Sequence, residues 1–269
     1  QLMNMYPFRT FLIVVCSLFL LRPFHTQAQN TQLDSLLSAL DKAPIDTNRV
    51  KLLSEIGFLM YTLDARQTLT YGQEAVNLAQ ELQFERGLVR AFSVMGIGFM
   101  TQGNNQRALE HFLKASQKAE ELQMTSAHHG PINNIGLIYA QWRNEDKALL
   151  YFFEASAMAR ETQDKRALSV YLSNIGFMYL KQKKYDAALD YFNRALNMRE
   201  SSHSQIHMPQ LMLNIGLVYL ATGKKTLALS TYEDAYQLAL EINDKLGQTQ
   251  ILNSIGDLYL EDNHTEKAR

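Results

Sequence analysis

Glycine recurs at positions 57, 96, 136, 176, 216 and 256, a first interval of 39 residues followed by four of 40. A fixed period of this size means a row of repeated supersecondary units rather than one closed core. Each glycine has the same surroundings. Directly before it stands Ile56, Met95, Ile135, Ile175, Ile215 or Ile255, and three residues after it Phe99, Tyr139, Tyr179, Tyr219 or Tyr259 in most copies. Twelve residues after it stands Ala108, Ala148, Ala188, Ala228 or Ala268. Four further on comes Phe112, Phe152, Phe192 or Tyr232, and three beyond that Ala115, Ala155, Ala195 or Ala235. Offsets of three and four hold one face of a helix. A glycine inside a helix costs roughly 1 kcal/mol relative to alanine, so its recurrence needs a reason. Close approach of two helix backbones at matched Gly and Ala positions supplies one.

The faces of each unit are separated by "QGNNQ", "WRNED", "KQKKYD", "TGKKT" and "EDNHT". Gly103 and Gly223 are expected to end helices in the left-handed conformation, with Asn144 and Asn263 doing the same in other copies. Asp164, Ser204 and Asp244, again 40 apart, are predicted N-caps of the following helices. Each unit is therefore two antiparallel helices, with boundaries near 46–83, 84–123, 124–163, 164–203, 204–243 and 244–269. The last of these is cut short, and the chain is read as a fragment. Pro131 and Pro209 stand near the start of their helices, which are predicted to begin late or bend. Residues 29–45 are a leading helix and linker that covers the first unit. That unit is degenerate, with Gly72 where the others carry an aromatic ring.

This frame, Ile-Gly-x-x-Tyr followed by Ala-x-x-x-Phe, resembles the tetratricopeptide repeat, most closely in "IGFMYLKQKKYDAALDYFNRAL" (175–196). The resemblance covers residues from about 46 to the end and implies an all-α fold, a right-handed superhelical solenoid of antiparallel helix pairs. Two departures matter. The repeat is 40 residues rather than the usual 34, and Glu200 stands where the family pattern carries a late proline. Forty-residue repeats of this kind look like those of kinesin light chain and of bacterial peptide-sensing regulators. Preceded by an export signal, they resemble the extracytoplasmic region of bacterial sensor kinases or membrane-tethered regulators.

Such a signal is read at the N-terminus. Arg9 precedes "FLIVVCSLFLL" (11–21), eleven residues with almost no polar content, before the polar "HTQAQN". That is too short to span a bilayer as an ordinary helix, which needs about 20 residues. It reads as a secretory signal peptide, residues 1–28, cleaved after Ala28; retention as an anchor is the alternative. Val14 and Val15 before Cys16 make a poor lipoprotein box. The repeats are thus expected outside the cytoplasm, periplasmic or membrane-associated.

Composition narrows the function classes. The net charge of −1 offers no basic field for nucleic acid. Cys16 is the single cysteine, so a disulfide framework is excluded. The sequence holds no phosphate-binding glycine loop, nucleophile elbow or HExxH motif, and no enzymatic activity is predicted for these residues. His203 and His207 share a helical spacing but lack a nearby carboxylate, and His128, His129 and His264 read as solvated, so no metal site or cofactor is expected.

The resemblance implies that the first helix of each pair lines a concave surface, which solenoids use for binding. Just before the Ile-Gly pair stand Asn134, Asn174, Asn214 and Ser254, with Asn133, Ser173 and Asn253 adjacent. An amide offers donors and an acceptor, so such a ladder can hold an extended peptide backbone whatever its side chains. The alternative is that each amide bonds its neighbouring repeat. Leu137, Phe177 and Leu217 offer an apolar floor or serve as core between repeats. Lys181 and Asp257 set the charge preference. The expected partner is a protein or extended peptide, self-association included, with membrane contact only through the N-terminal segment or a part beyond Arg269. The expected function is a peptide- or protein-binding module, the sensory part of a larger bacterial signalling protein. The alternative is a stand-alone periplasmic scaffold or assembly adaptor.

Overall fold

The computed structural model describes residues 27–201 and 205–261. These fall into two compact units divided at that gap. Residues 1–26 of the predicted export segment, His203, the N-cap at Ser204, Asn263, His264 and Ala268 lie outside the described residues. Among the described residues there are twelve helices and no strand, and none of these helices is long and apolar enough to cross a membrane. The first unit holds α1 (Gln27–Lys42), α2 (Thr47–Met60), α3 (Ala65–Glu81), α4 (Glu85–Thr101), α5 (Asn105–Glu121), α6 (Thr125–Gln141), α7 (Glu145–Glu161), α8 (Lys165–Lys181) and α9 (Tyr185–Ser201). The second holds α10 (Met208–Ala221), α11 (Lys225–Glu241) and α12 (Lys245–Glu261).

The forty-residue period contains a stricter one of half its length. From α3 to α9 each helix has 17 residues, and a three-residue link follows each of α3 to α8. The middle residue of each link has positive φ: Gln83, Gly103, Gln123, Arg143, Gln163 and Lys183, with Gly223 and Asn243 repeating the pattern in the second unit. The third residue of the link sends its N–H back to a carbonyl five residues earlier, as Asn104 N does to Phe99 O at 2.9 Å and Asn144 N to Tyr139 O at 2.9 Å. This is a Schellman turn, which satisfies carbonyls orphaned at the helix end.

The sequence reading placed the left-handed residue at Asn144. The structure puts it one position earlier, on Arg143 (φ 57°), and makes Asn144 the N-cap of α7, its Oδ1 accepting from Lys147 N at 3.2 Å. An amide side chain suits that cap, because it satisfies a free N–H of the first turn. Asp46, Asp64, Asn104 and Asp164 cap α2, α3, α5 and α8 in the same way. Asp244 caps α12 through the N–H of Gly247 at 2.9 Å. Pro131 does not delay its helix: it is the seventh residue of a full-length α6. Pro209 does, since α10 starts at Met208 and has 14 residues.

The recurrent glycines make room for a ring. In the first unit a Cβ added at Gly136 would lie 2.7 Å from Phe152 Cε1 and 3.3 Å from the Ala148 carbonyl oxygen. At Gly176 it would lie 2.8 Å from Phe192 Cδ1 and 3.2 Å from the Ala188 carbonyl oxygen. Phe112, Phe152 and Phe192 are fully buried. Burying such a side chain contributes about 1.5–3 kcal/mol, more than the glycine's helix penalty of about 1 kcal/mol. Gly216 receives Tyr232 in the same manner in the second unit. In the degenerate first repeat the neighbouring repeat fills the gap. Val94 would stand 2.8 Å from a Cβ on Gly57, and the Met95 sulfur 2.9 Å from one on Gly72. α1 covers the other side of this repeat, with Leu33 joined to Ile56 and Met60 and flanked by Leu36, Leu37 and Leu40.

Candidate binding face

In the first unit α4, α6 and α8 each have a side that packs on no partner helix and carries exposed positions. Arg86, Arg90, Ser126, Arg166 and Val170 line this side, with Ser93, Ile97, Gly130, Leu137 and Ser173 half-buried between them. The asparagines predicted to bind lie at its base. Asn133 and Asn174 are buried and Asn134 is half-buried. Asn174 Nδ2 donates to Asn133 Oδ1 at 2.8 Å, from α8 to α6, and Asn133 Nδ2 donates to Asn134 Oδ1 at 3.3 Å.

Three amides thus form one directed chain across two repeats. The inter-repeat bond is real, and it consumes only part of their capacity. The amide nitrogen of Asn134 and the carbonyl oxygen of Asn174 carry no hydrogen bond among the described residues, and neither is sealed from solvent. One end offers a donor and the other an acceptor, the complement of a peptide group. Gly130, one helical turn before Asn134, has no atom within 4 Å of where a Cβ would sit, so the space beside the amide is open.

The other predicted residues of this unit divide by depth. Leu137 is half-buried, whereas Phe177 is buried at 2% exposure and belongs to the packing between helices. Lys181 Nζ stands 3.9 Å from Glu145 Oε1, so its charge is partly offset by α7. In the second unit Asn214 is buried, and its Oδ1 accepts from Gln210 Nε2 at 3.4 Å, while its own Nδ2 finds no partner among the described residues. Ser254 is buried and donates to Gln250 O at 3.2 Å, Leu217 is half-buried and Asn253 is exposed. Asp257 is half-buried, and loss of solvation pushes its carboxyl above the usual carboxylate range.

Gly130 and Val170 were not legible as site residues from the glycine frame alone. They occupy the place six residues before each framework glycine, where other copies carry Arg90, Gln210 and Gln250. A small or apolar residue at that otherwise polar place was the available signal.

The two histidines of α6 correct the sequence reading. His128 and His129 are buried, at 8% and 7% exposure, rather than solvated. His128 Nε2 lies 2.8 Å from Ser116 Oγ of α5, and His129 Nδ1 lies 2.8 Å from the Tyr171 hydroxyl of α8. Among the described residues no group of His, Cys, Asp and Glu is arranged to hold a metal ion. An open depression of about 440 Å³ at the links after α6 and α8 is lined by Trp142–Asp146 and Gln182. It contains none of the predicted binding residues.

Residues 126–201 match the family profile described as tetratricopeptide repeat, and residues 174–260 that of anaphase-promoting complex subunit 5. No curated protein matches the chain in sequence. BtubC (BKLC) from P. vanneervenii is similar in structure, with a TM-score of 0.66 at 22% identity, over 81% of this chain and 93% of that one. The apo form of RapI gives a TM-score of 0.69 at 16% identity, over 97% and 93%. A Rap protein complexed with Competence and Sporulation Factor gives 0.61 at 13%, over 89% and 73%. Residues 126–201 thus match the tetratricopeptide repeat profile, and the fold is a tetratricopeptide-like helical solenoid.

Proposed function

We propose that this chain is a protein-interaction module that holds an extended peptide segment on the α4–α6–α8 side of its first unit and performs no chemistry of its own. The observation that carries the proposal is the directed amide chain Asn174–Asn133–Asn134, which leaves an unused acceptor on Asn174 and an unused donor on Asn134, the latter one helical turn from the uncovered Gly130. A peptide backbone satisfies both ends at once, and Leu137 and Val170 offer apolar contact to its side chains. The likeness to a Rap protein complexed with Competence and Sporulation Factor supports the same reading. The fuller reading is an exported sensory region of a bacterial signalling protein, supported by the apolar segment 11–21 behind Arg9. A scaffold without signalling output is the competing version, and coding sequence beyond Arg269 distinguishes them by the presence or absence of a kinase or DNA-binding domain.

The interaction is tested by selecting binders to the full chain from a displayed library of random twelve-residue peptides and mapping a selected peptide by hydrogen exchange. New protection is expected in 126–141 and 166–181. Protection confined to α5, α7 and α9 overturns the assignment of the face.

A further inference from the structure

We infer that His128 and His129 form a proton-sensitive joint that holds the repeat 124–163 to both of its neighbours and loosens on acidification. Consecutive residues of a helix point about 100° apart, so the two rings leave α6 in different directions. His128 reaches back to Ser116 of the preceding repeat, and His129 reaches forward to Tyr171 of the following one. All four side chains are buried, none more than 9% exposed. The His129 ring also meets Tyr171 edge-on, with centroids 5.7 Å apart and planes at 62°.

The two contacts respond differently to a proton. Ser116 is neutral, and its hydroxyl can rotate to accept from a charged His128 as readily as it donates to a neutral one. His129 has less freedom. Nδ1 lies 2.8 Å from the Tyr171 hydroxyl and Nε2 4.0 Å from Asp164 Oδ2; the neutral tautomer that places its proton on Nε2, toward the carboxylate, lets Nδ1 accept from Tyr171. Protonation puts a hydrogen on Nδ1, so Tyr171 must become the acceptor and its own buried hydroxyl proton loses its partner. An unsatisfied buried polar group favours the open state.

The charges around the joint decide the sign. Asp164, at the start of α8, is the carboxylate that opposes the change. It is 44% exposed, it caps α8 through the N–H of Ala167 at 2.9 Å, and its field is shared with Arg199 of α9 and Arg166 of α8. His128 adds a like charge once protonated. Burial, the largest influence, together with His128 outweighs Asp164 and holds His129 below the ordinary histidine range. The folded joint therefore keeps its full strength above about pH 6.5, the pKa of a histidine in the open chain. It weakens as pH falls below that value, because the open state binds more protons.

The test is hydrogen exchange on the full chain at pH 7.5 and 5.5, corrected for intrinsic rates, with His129→Gln as the comparison. Glutamine can still hydrogen-bond Tyr171 but does not titrate. In the wild type, protection in 125–135 and 166–175 is expected to fall several-fold at the lower pH relative to 47–81, and the variant is expected to abolish that difference. A parallel loss in wild type and variant overturns the inference, as does unchanged protection in the wild type. Should the variant not fold, NMR titration of the His129 ring in the wild type decides. A midpoint below that of a free histidine, accompanied by shifts in Tyr171, supports the joint, and an unshifted midpoint overturns it.

Discussion

Gly130 and Gly136 stand on the same helix six residues apart, and what a methyl group would meet at each is opposite. At Gly136 it would press within 2.7 Å of the buried Phe152 ring, whereas at Gly130 there is no atom within 4 Å. Gly136→Ala is therefore expected to destabilise the protein by about 1–3 kcal/mol through overpacking, partly offset by better helix propensity. Gly130→Ala is expected to stabilise it by roughly 0.5–1 kcal/mol, since only propensity and chain entropy change. Urea denaturation of the two single variants checks both signs. Equal effects would mean that the framework glycine is not reserved for the ring.

The links between helices make a second prediction. Gly103 adopts φ 78° at no steric cost, whereas Gln163 holds φ 57° with a side chain. A left-handed conformation costs a non-glycine residue roughly 1–2 kcal/mol, and glycine returns part of that as added chain entropy. Gln163→Gly is expected to raise the denaturation midpoint by an amount worth about 0.5 kcal/mol, and Gly103→Ala to lower it by about 1 kcal/mol. The same urea series measures both.

These positions also explain what the sequence could reveal. The forty-residue period was legible because the Gly-ring contact needs particular side chains at fixed offsets. The twenty-residue rhythm beneath it was not, because its left-handed residue is required by the backbone alone. Gln, Gly, Arg, Lys and Asn all fill that place, so no residue type marks it. The histidines were misread for a different reason. They sit eight and seven residues before Gly136, where the neighbouring copies carry Leu88, Val89, Leu168 and Ser169, and that alignment already marked the places as mostly apolar. The amides were found by their repetition. Their division into a bonded inner part and an open outer part depends on rotamers that no spacing encodes.

Export is the expectation furthest from the repeats. Arg9 and the largely apolar stretch 11–21 predict a mature chain that starts after Ala28. Intact-mass measurement on protein recovered from the cell envelope should find that species. A mass that retains residues 11–21 would identify the segment as an anchor and keep the repeats tethered.

The amide chain allows stability and binding to be separated within one pair of adjacent residues. Asn133 accepts the 2.8 Å bond from the buried Asn174. Asn133→Ala leaves that donor unpaired, which is expected to cost about 1–3 kcal/mol of stability. Asn134 lies at the open end and only accepts a 3.3 Å bond from its neighbour, so Asn134→Ala should move the denaturation midpoint little. Its effect should instead appear in affinity for a selected peptide. Losing one neutral hydrogen bond there costs about 0.5–1.5 kcal/mol, roughly a two- to tenfold rise in Kd. Fluorescence anisotropy with the labelled peptide measures that rise, and urea denaturation measures the stability of both variants. If Asn134→Ala lowers stability as much as Asn133→Ala and leaves Kd unchanged, the amides serve only to join repeats, and the peptide must be sought on another face.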